Sequence, residues 1–194
     1  MNRICVYCGS SPGKHAAYRE AAAELAQVLA QQGIGLVYGG GSVGIMGSIA
    51  DAMVDAGAEV IGVIPRALDE KEVSHGGVSE LVVVDSMHER KALMAELSDG
   101  FIALPGGLGT IEELFEVLTW TQLGFHHKPC GLLNVQGYFD QLVAFLDHTV
   151  EQAFVKPVHR DILLVEEKAD PLLRRMAAFQ PPADEKWIGR EGKL

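Results

Sequence analysis

Phe101-Ile102-Ala103-Leu104-Pro105-Gly106-Gly107-Leu108-Gly109-Thr110-Ile111-Glu112-Glu113-Leu114-Phe115 is the stretch on which the fold turns. Phe101 to Leu104 is a short apolar run closed by Pro-Gly-Gly and reads as a buried strand, whereas Thr110 to Leu123 repeats its apolar positions at helical spacing. Between them lies a turn with three glycines in four positions. Strand, glycine turn and helix together form the unit from which parallel α/β sheets are built.

The same alternation runs outward in both directions. Towards the N-terminus it gives strands over Arg3 to Cys8, Gly35 to Tyr38, Glu59 to Ile64 and Leu81 to Val84. The helices among them run over Lys14 to Gln32, Val43 to Ala56 and Met87 to Leu97. Towards the C-terminus come a strand at Cys130 to Asn134, a helix at Tyr138 to Gln152, a strand at Ile162 to Val165 and a helix at Asp170 to Phe179. Continuously apolar strands separated by helices imply a doubly wound, mainly parallel, Rossmann-like α/β sheet with helices on both faces. Such sheets bind ligands at the C-terminal ends of their strands. With no repeat or linker in between, residues 1 to 180 are expected to form one α/β domain, followed by a polar tail over 181 to 194.

Composition narrows the function classes. A chain of 194 residues, 48% hydrophobic and with a formal net charge of -10, suits a globular protein and lacks the dense basic face that a nucleic-acid backbone requires. No apolar run reaches the length of a membrane span and the first residues carry no signal-peptide pattern, so a soluble cytoplasmic protein is expected. The three cysteines, Cys5, Cys8 and Cys130, are too few for a disulfide scaffold. Cys5 and Cys8 form a C-x-x-C, but inside a strand, where residues three apart face opposite sides; they read as structural thiols.

Three glycine turns follow strands: Gly9 to Gly13, Gly39 to Gly44, and the Pro105 turn. Glycine lets a ligand approach the backbone, and the free N–H groups of the following helix favour an anion such as phosphate. Gly39, Gly41 and Gly44 spell G-x-G-x-x-G, yet they follow the second strand, and Glu59 would begin the third strand rather than end one, so the dinucleotide reading fails on context. No Gly-Lys-Ser or Gly-Lys-Thr offers a P-loop, and no zinc or acidic-loop motif accompanies His126 and His127 to make a metal site.

Thr110 and Glu113 have the spacing of a capping box, a structural role that competes with any functional one. A cap leaves unexplained why Glu112 stands beside Glu113 and why His88-Glu89-Arg90-Lys91 opens another helix. Two carboxylates and two cations would converge at one sheet edge. That set suits cleavage of an N-glycosidic bond, with a carboxylate stabilising positive charge on the sugar or orienting water while a cation and a helix N-terminus hold phosphate. A nucleoside monophosphate fits the charge pattern.

Cys8-Gly9-Ser10-Ser11, Tyr38-Gly39-Gly40-Gly41, Met87-His88-Glu89-Arg90-Lys91, Pro105 to Glu113 and Thr119-Trp120-Thr121-Gln122-Leu123-Gly124 together resemble the Lonely Guy family. These are cytokinin riboside 5'-monophosphate phosphoribohydrolases, formerly labelled lysine decarboxylases. The resemblance implies catalysis by Arg90 and Glu113 with Glu112 close by, and phosphate binding by Gly106, Gly107, Gly109 and Thr110. It implies substrate contacts from Glu72, Lys91 and Thr119. It further implies release of a free base and ribose 5-phosphate from an N6-modified adenosine monophosphate, with no cofactor, by a homodimer. The decarboxylase label would require a Schiff-base lysine, and no lysine stands in a recognisable context for one. Molybdenum-cofactor carriers share the fold and the glycine turns and offer the alternative expectation, a phosphorylated pterin bound without cleavage.

Overall fold

A computed structural model describes residues 1–69 and 74–182. Among them seven strands form one parallel sheet: β1 (Arg3–Tyr7), β2 (Gly35–Tyr38), β3 (Val60–Pro65), β4 (Glu80–Val84), β5 (Gly100–Ala103), β6 (Cys130–Leu133) and β7 (Leu163–Glu166). Their order is β4-β3-β2-β1-β5-β6-β7. Chain order reverses between β1 and β5, where Val6 pairs with Tyr38 on one side and with Ile102 on the other. This switch point is where a doubly wound sheet leaves a crevice at its C-terminal edge.

The helices are α1 (Ala17–Gln31), α2 (Gly44–Asp55), α3 (Arg66–Asp69), α4 (Met87–Glu96), α5 (Leu108–Gln122), α6 (Asp140–Glu151), α7 (Pro157–Arg160) and α8 (Ala169–Ala177). On one face α1, α2 and α8 pack Leu25, Leu29, Ile49, Met53 and Leu172 against Ile4, Val6, Leu36 and Ile102. On the other, Met94 of α4 and Val117 of α5 cover Cys5, Tyr7, Val37 and Phe101. The strand residues alternate between the two cores, as the period of two demands, and because both faces are covered every residue of β2 and β3 is buried.

Cys5 and Cys8 are free thiols in opposite cores, and Cys130 is free as well. Burial pushes the Cys5 and Cys8 thiols far above their ordinary range, which suits structural rather than redox roles.

Two differences from the sequence reading bear on the site. The helix expected to start at a Thr110 cap starts at Leu108, with Gly107 as the N-cap and no side-chain cap bond. Thr110 therefore sits buried in the first turn, and the capping box with Glu113 does not form. The helix expected from Tyr138 is shorter, running from Asp140 after a 3-10 turn at Val135–Gly137. Of the tail expected over 181 to 194, residues 183–194 lie outside the described part of the chain, as do residues 70–73.

Candidate active site

Helix α4 is set in place by its own first turn. Ser86 Oγ accepts from the N–H of Glu89 at 3.1 Å, and Glu89 Oε2 accepts from the N–H of Asp85 at 2.9 Å. So anchored, the helix sends Arg90 and Lys91 towards the start of α5. Arg90 Nε donates to the carbonyl oxygen of Val63, within β3, at 3.1 Å, and its Nη1 lies 3.2 Å from Glu113 Oε1. Lys91 Nζ donates to Glu112 Oε1 at 2.6 Å and to Glu116 Oε1 at 3.0 Å. The two cations and two carboxylates do converge, joined by a third carboxylate, Glu116.

The Arg90 and Glu113 side chains are only 11% and 10% exposed, so the pair is nearly dry. Burial raises the Glu113 carboxyl above its usual range; Arg90 and Lys91 pull it back, whereas Glu112 and Glu116 push it further up. Lys91 is raised instead, chiefly by its bond to Glu112. Its amine is thus held protonated between two carboxylates.

The pair opens into a cavity of about 280 Å³. Tyr7, Cys8, Gly9 and Ser10 form one wall, Gly39 and Met46 another, and Gly107 to Thr110 the rim. A second cavity of similar size lies across the ridge of Gly9, Gly106 and Gly107, bounded by Tyr18 and Tyr138.

The three glycine turns prove unlike one another. A Cβ on Gly106 would overlap Thr110 Oγ1 and stand 2.8 Å from the Gly9 nitrogen, so that glycine is demanded by packing. Gly107 and Gly109 face open space, with nothing within 4 Å of a Cβ. Around them the first N–H groups of α5 have no side-chain cap, the condition for receiving an anion. The second turn differs. The N–H groups of Ile45 and Met46, which open α2, donate to the Gly9 carbonyl oxygen at 3.0 and 3.3 Å, and Gly44, at φ 66°, lies against the backbone of Ser10. That helix start is closed by protein, so the second turn serves packing rather than phosphate.

Other expected residues lie elsewhere. Thr119 is further along α5, where its hydroxyl donates to the Phe115 carbonyl oxygen and the residue borders a separate apolar groove with Leu118 and Leu146. His88 is exposed on α4. Glu72 falls outside the described residues. Three contributors escaped the sequence reading: Glu116, one helical turn beyond Glu112; the Val63 carbonyl; and Tyr138, whose hydroxyl donates to the Gly106 carbonyl oxygen at 2.7 Å. Only Glu116 had a legible signal, its i,i+4 spacing from Glu112.

A parallel α/β sheet with an uncapped helix start beside a buried guanidinium–carboxylate pair defines a site for a small phosphorylated molecule. A family model described as "Possible lysine decarboxylase" matches residues 46–176. A cytokinin riboside 5'-monophosphate phosphoribohydrolase of Arabidopsis thaliana is 50% identical over 184 residues, 95% of this chain and 81% of that protein. A probable enzyme of the same name from Oryza sativa subsp. japonica is 52% identical over 182 residues, 94% of this chain and 74% of that protein. The chain belongs to the Lonely Guy family, to which its motifs pointed. Among solved structures, a molybdenum cofactor binding protein of Rippkaea orientalis superposes with a TM-score of 0.69 at 22% identity, over 91% of this chain and 95% of that one. The molybdenum cofactor carrier protein of Chlamydomonas reinhardtii gives the same score and identity, over 91% and 98%. At that identity the likeness establishes the fold alone.

Proposed function

We propose that this chain hydrolyses the N-glycosidic bond of an N6-modified adenosine 5'-monophosphate, adding water at the anomeric carbon and releasing free base and ribose 5-phosphate. The carrying observation is the buried Arg90–Glu113 pair, 3.2 Å apart, facing the cavity beside the uncapped start of α5. Relatives about half identical over nearly the whole chain bear the matching name, which favours hydrolysis over the carrier alternative.

Gly106, Gly107, Gly109 and Thr110 shape the phosphate seat: Gly107 and Gly109 leave room for the group, and the α5 N-terminus supplies donors and the positive end of its dipole. Glu113, ionised, faces the sugar and stabilises the positive charge that grows as the base departs; Arg90 fixes the carboxylate's orientation and offers its remaining donors to the substrate. Glu112 and Lys91 flank this pair, with Lys91 held ready by Glu112 and Glu116. Glu72 is retained as a substrate contact on the strength of the family resemblance. Thr119, the other contact the resemblance implies, lines the neighbouring groove and not this cavity.

Pyridoxal chemistry, which the family model's description suggests, does not fit these residues. A Schiff-base lysine must reach its neutral form; among the described residues no lysine lines the cavity, and Lys91, next to Arg90 on α4, is clamped as an ammonium by two carboxylates.

A homodimer belongs to the same reading. Helix α6 has no buried residue, and Phe145 and Phe154 are 59% and 85% exposed, an apolar surface of the kind that marks a protein interface. A cytoplasmic setting accords with the free buried cysteines, and among the described residues no helix is long and apolar enough to cross a membrane.

Chromatography of reactions with prenylated and plain adenosine monophosphates tests the proposal. Free base should appear with the parent chain and vanish with Arg90→Ala and Glu113→Ala. No release from any of these nucleotides, or release that survives both substitutions, defeats it.

A further inference from the structure

We propose that Gly39 is a positioning residue for this reaction, keeping open the slot that sets the Arg90 guanidinium against Glu113. The inference rests on the reading above, in which that pair acts on the nucleotide.

Arg90 reaches back from α4 across the C-terminal ends of β3 and β2. Two of its three nitrogens are committed: Nε to the Val63 carbonyl oxygen at 3.1 Å and Nη1 to Glu113 at 3.2 Å. The third, Nη2, lies directly over Gly39. A Cβ at that position would overlap Nη2 and stand 3.3 Å from Cζ. The guanidinium is planar with its nitrogens fixed relative to one another, so displacing Nη2 swings Nη1 away from Glu113 or breaks the bond to Val63.

The neighbouring glycines have other reasons to be glycine. Gly40 and Gly44 adopt φ of 77° and 66°, which side chains avoid. Gly39 does not: its φ lies outside the left-handed region, and besides Arg90 the close neighbour of an added methyl is Met46 Sδ at 3.3 Å, the end of a flexible side chain. Alanine would fit the backbone here. What it excludes is the guanidinium.

Gly39→Ala therefore separates positioning from folding. We expect kcat/KM for base release to fall about 100-fold, the scale of a misplacement near 1 Å in a reacting constellation. The groups facing Glu113 are Arg90 and Lys91 from α4, Glu112 and Glu116 on its own helix, and Cys5, Tyr7 and Cys8 from the β1 side. Of these the substitution displaces Arg90, which holds the Glu113 carboxyl down, so the acid limb of the rate profile should move to higher pH. In an Arg90→Lys background the shorter side chain no longer fills the slot, and adding Gly39→Ala should change kcat/KM less than about twofold.

A nucleotide-free measurement keeps the two readings apart. Gly39→Ala should lower the melting temperature in the Arg90 background and not in the Arg90→Lys background. If this coupling is present but no nucleotide is cleaved by the parent chain, the slot stands and the hydrolase reading falls. Parent-level activity in Gly39→Ala, an unmoved acid limb, or equal losses in both backgrounds overturns the positioning role. Should Gly39→Ala not fold, the double variant decides: folding supports the slot, and failure to fold overturns it.

Discussion

Tyr138 reaches from the segment after the 3-10 turn to donate its hydroxyl to the carbonyl oxygen of Gly106, 2.7 Å away. The bond ties the glycine turn ahead of α5 to an element 32 residues distant in sequence. Gly106 is also fixed from below, where Thr110 Oγ1 and the Gly9 nitrogen leave no room for a side chain. The turn is thereby held from two sides before any ligand arrives.

Removing the hydroxyl should loosen the phosphate seat without touching the reacting groups. Tyr138→Phe is expected to raise KM about fivefold, the worth of one ordinary hydrogen bond, with kcat held. Steady-state kinetics on adenosine monophosphate separates the two constants. An unchanged KM would show that the turn keeps its shape unaided.

Two glycines three residues apart should respond in opposite ways. Gly106→Ala forces a methyl onto Thr110 and Gly9 and should cost about 1 to 3 kcal/mol of stability. Gly109→Ala meets nothing in the protein and should melt close to the parent, yet it places a methyl where the phosphate is proposed to sit. Denaturant titration beside a base-release assay distinguishes them: the first variant loses stability, the second loses activity.

The pH dependence follows from the Glu113 carboxyl. Burial raises it, so the ionised form needed for catalysis accumulates only above the usual carboxylate range, and kcat/KM should rise with pH along that acid limb. Glu112 pushes the carboxyl up, so Glu112→Gln should move the limb to lower pH; Lys91 pulls it down, so Lys91→Met should move it to higher pH. Opposite displacements in the two profiles are the required result.

Assembly is open to a direct measurement. Light scattering should return twice the 20.9 kDa chain mass, and Phe145→Asp should shift the particle towards a single chain if the α6 surface is the one covered. A monomeric parent protein would rule out the homodimer.

Much of the fold was legible because its strands are continuous apolar runs and its helices carry period-3.6 faces, signals that local packing on two sides of a sheet enforces. The site was legible in part. Arg90, Lys91, Glu112 and Glu113 stand at helix starts, and a parallel sheet brings helix starts to one edge. Thr110 was misread because Thr followed three residues later by Glu has the form of a capping box. Gly107 takes the extended cap conformation instead, and the helix begins two residues earlier. The Val63 carbonyl left no trace in the sequence because any residue would supply it. The second glycine turn looked like a phosphate loop because sequence cannot show that a backbone carbonyl from another loop has taken its donors.

That carbonyl, from Gly9, has a consequence for what the sheet edge can count. Two open helix starts side by side would welcome a chain of phosphoryl groups; here the start of α2 presents an oxygen already bonded to Ile45 and Met46, and the start of α5 stands open. A second phosphoryl group extending towards α2 would find the Ile45 and Met46 donors already taken. With the phosphate seat proposed at α5, the edge offers one anion-binding helix start and not two, and what closes the other is the direction in which one peptide group points.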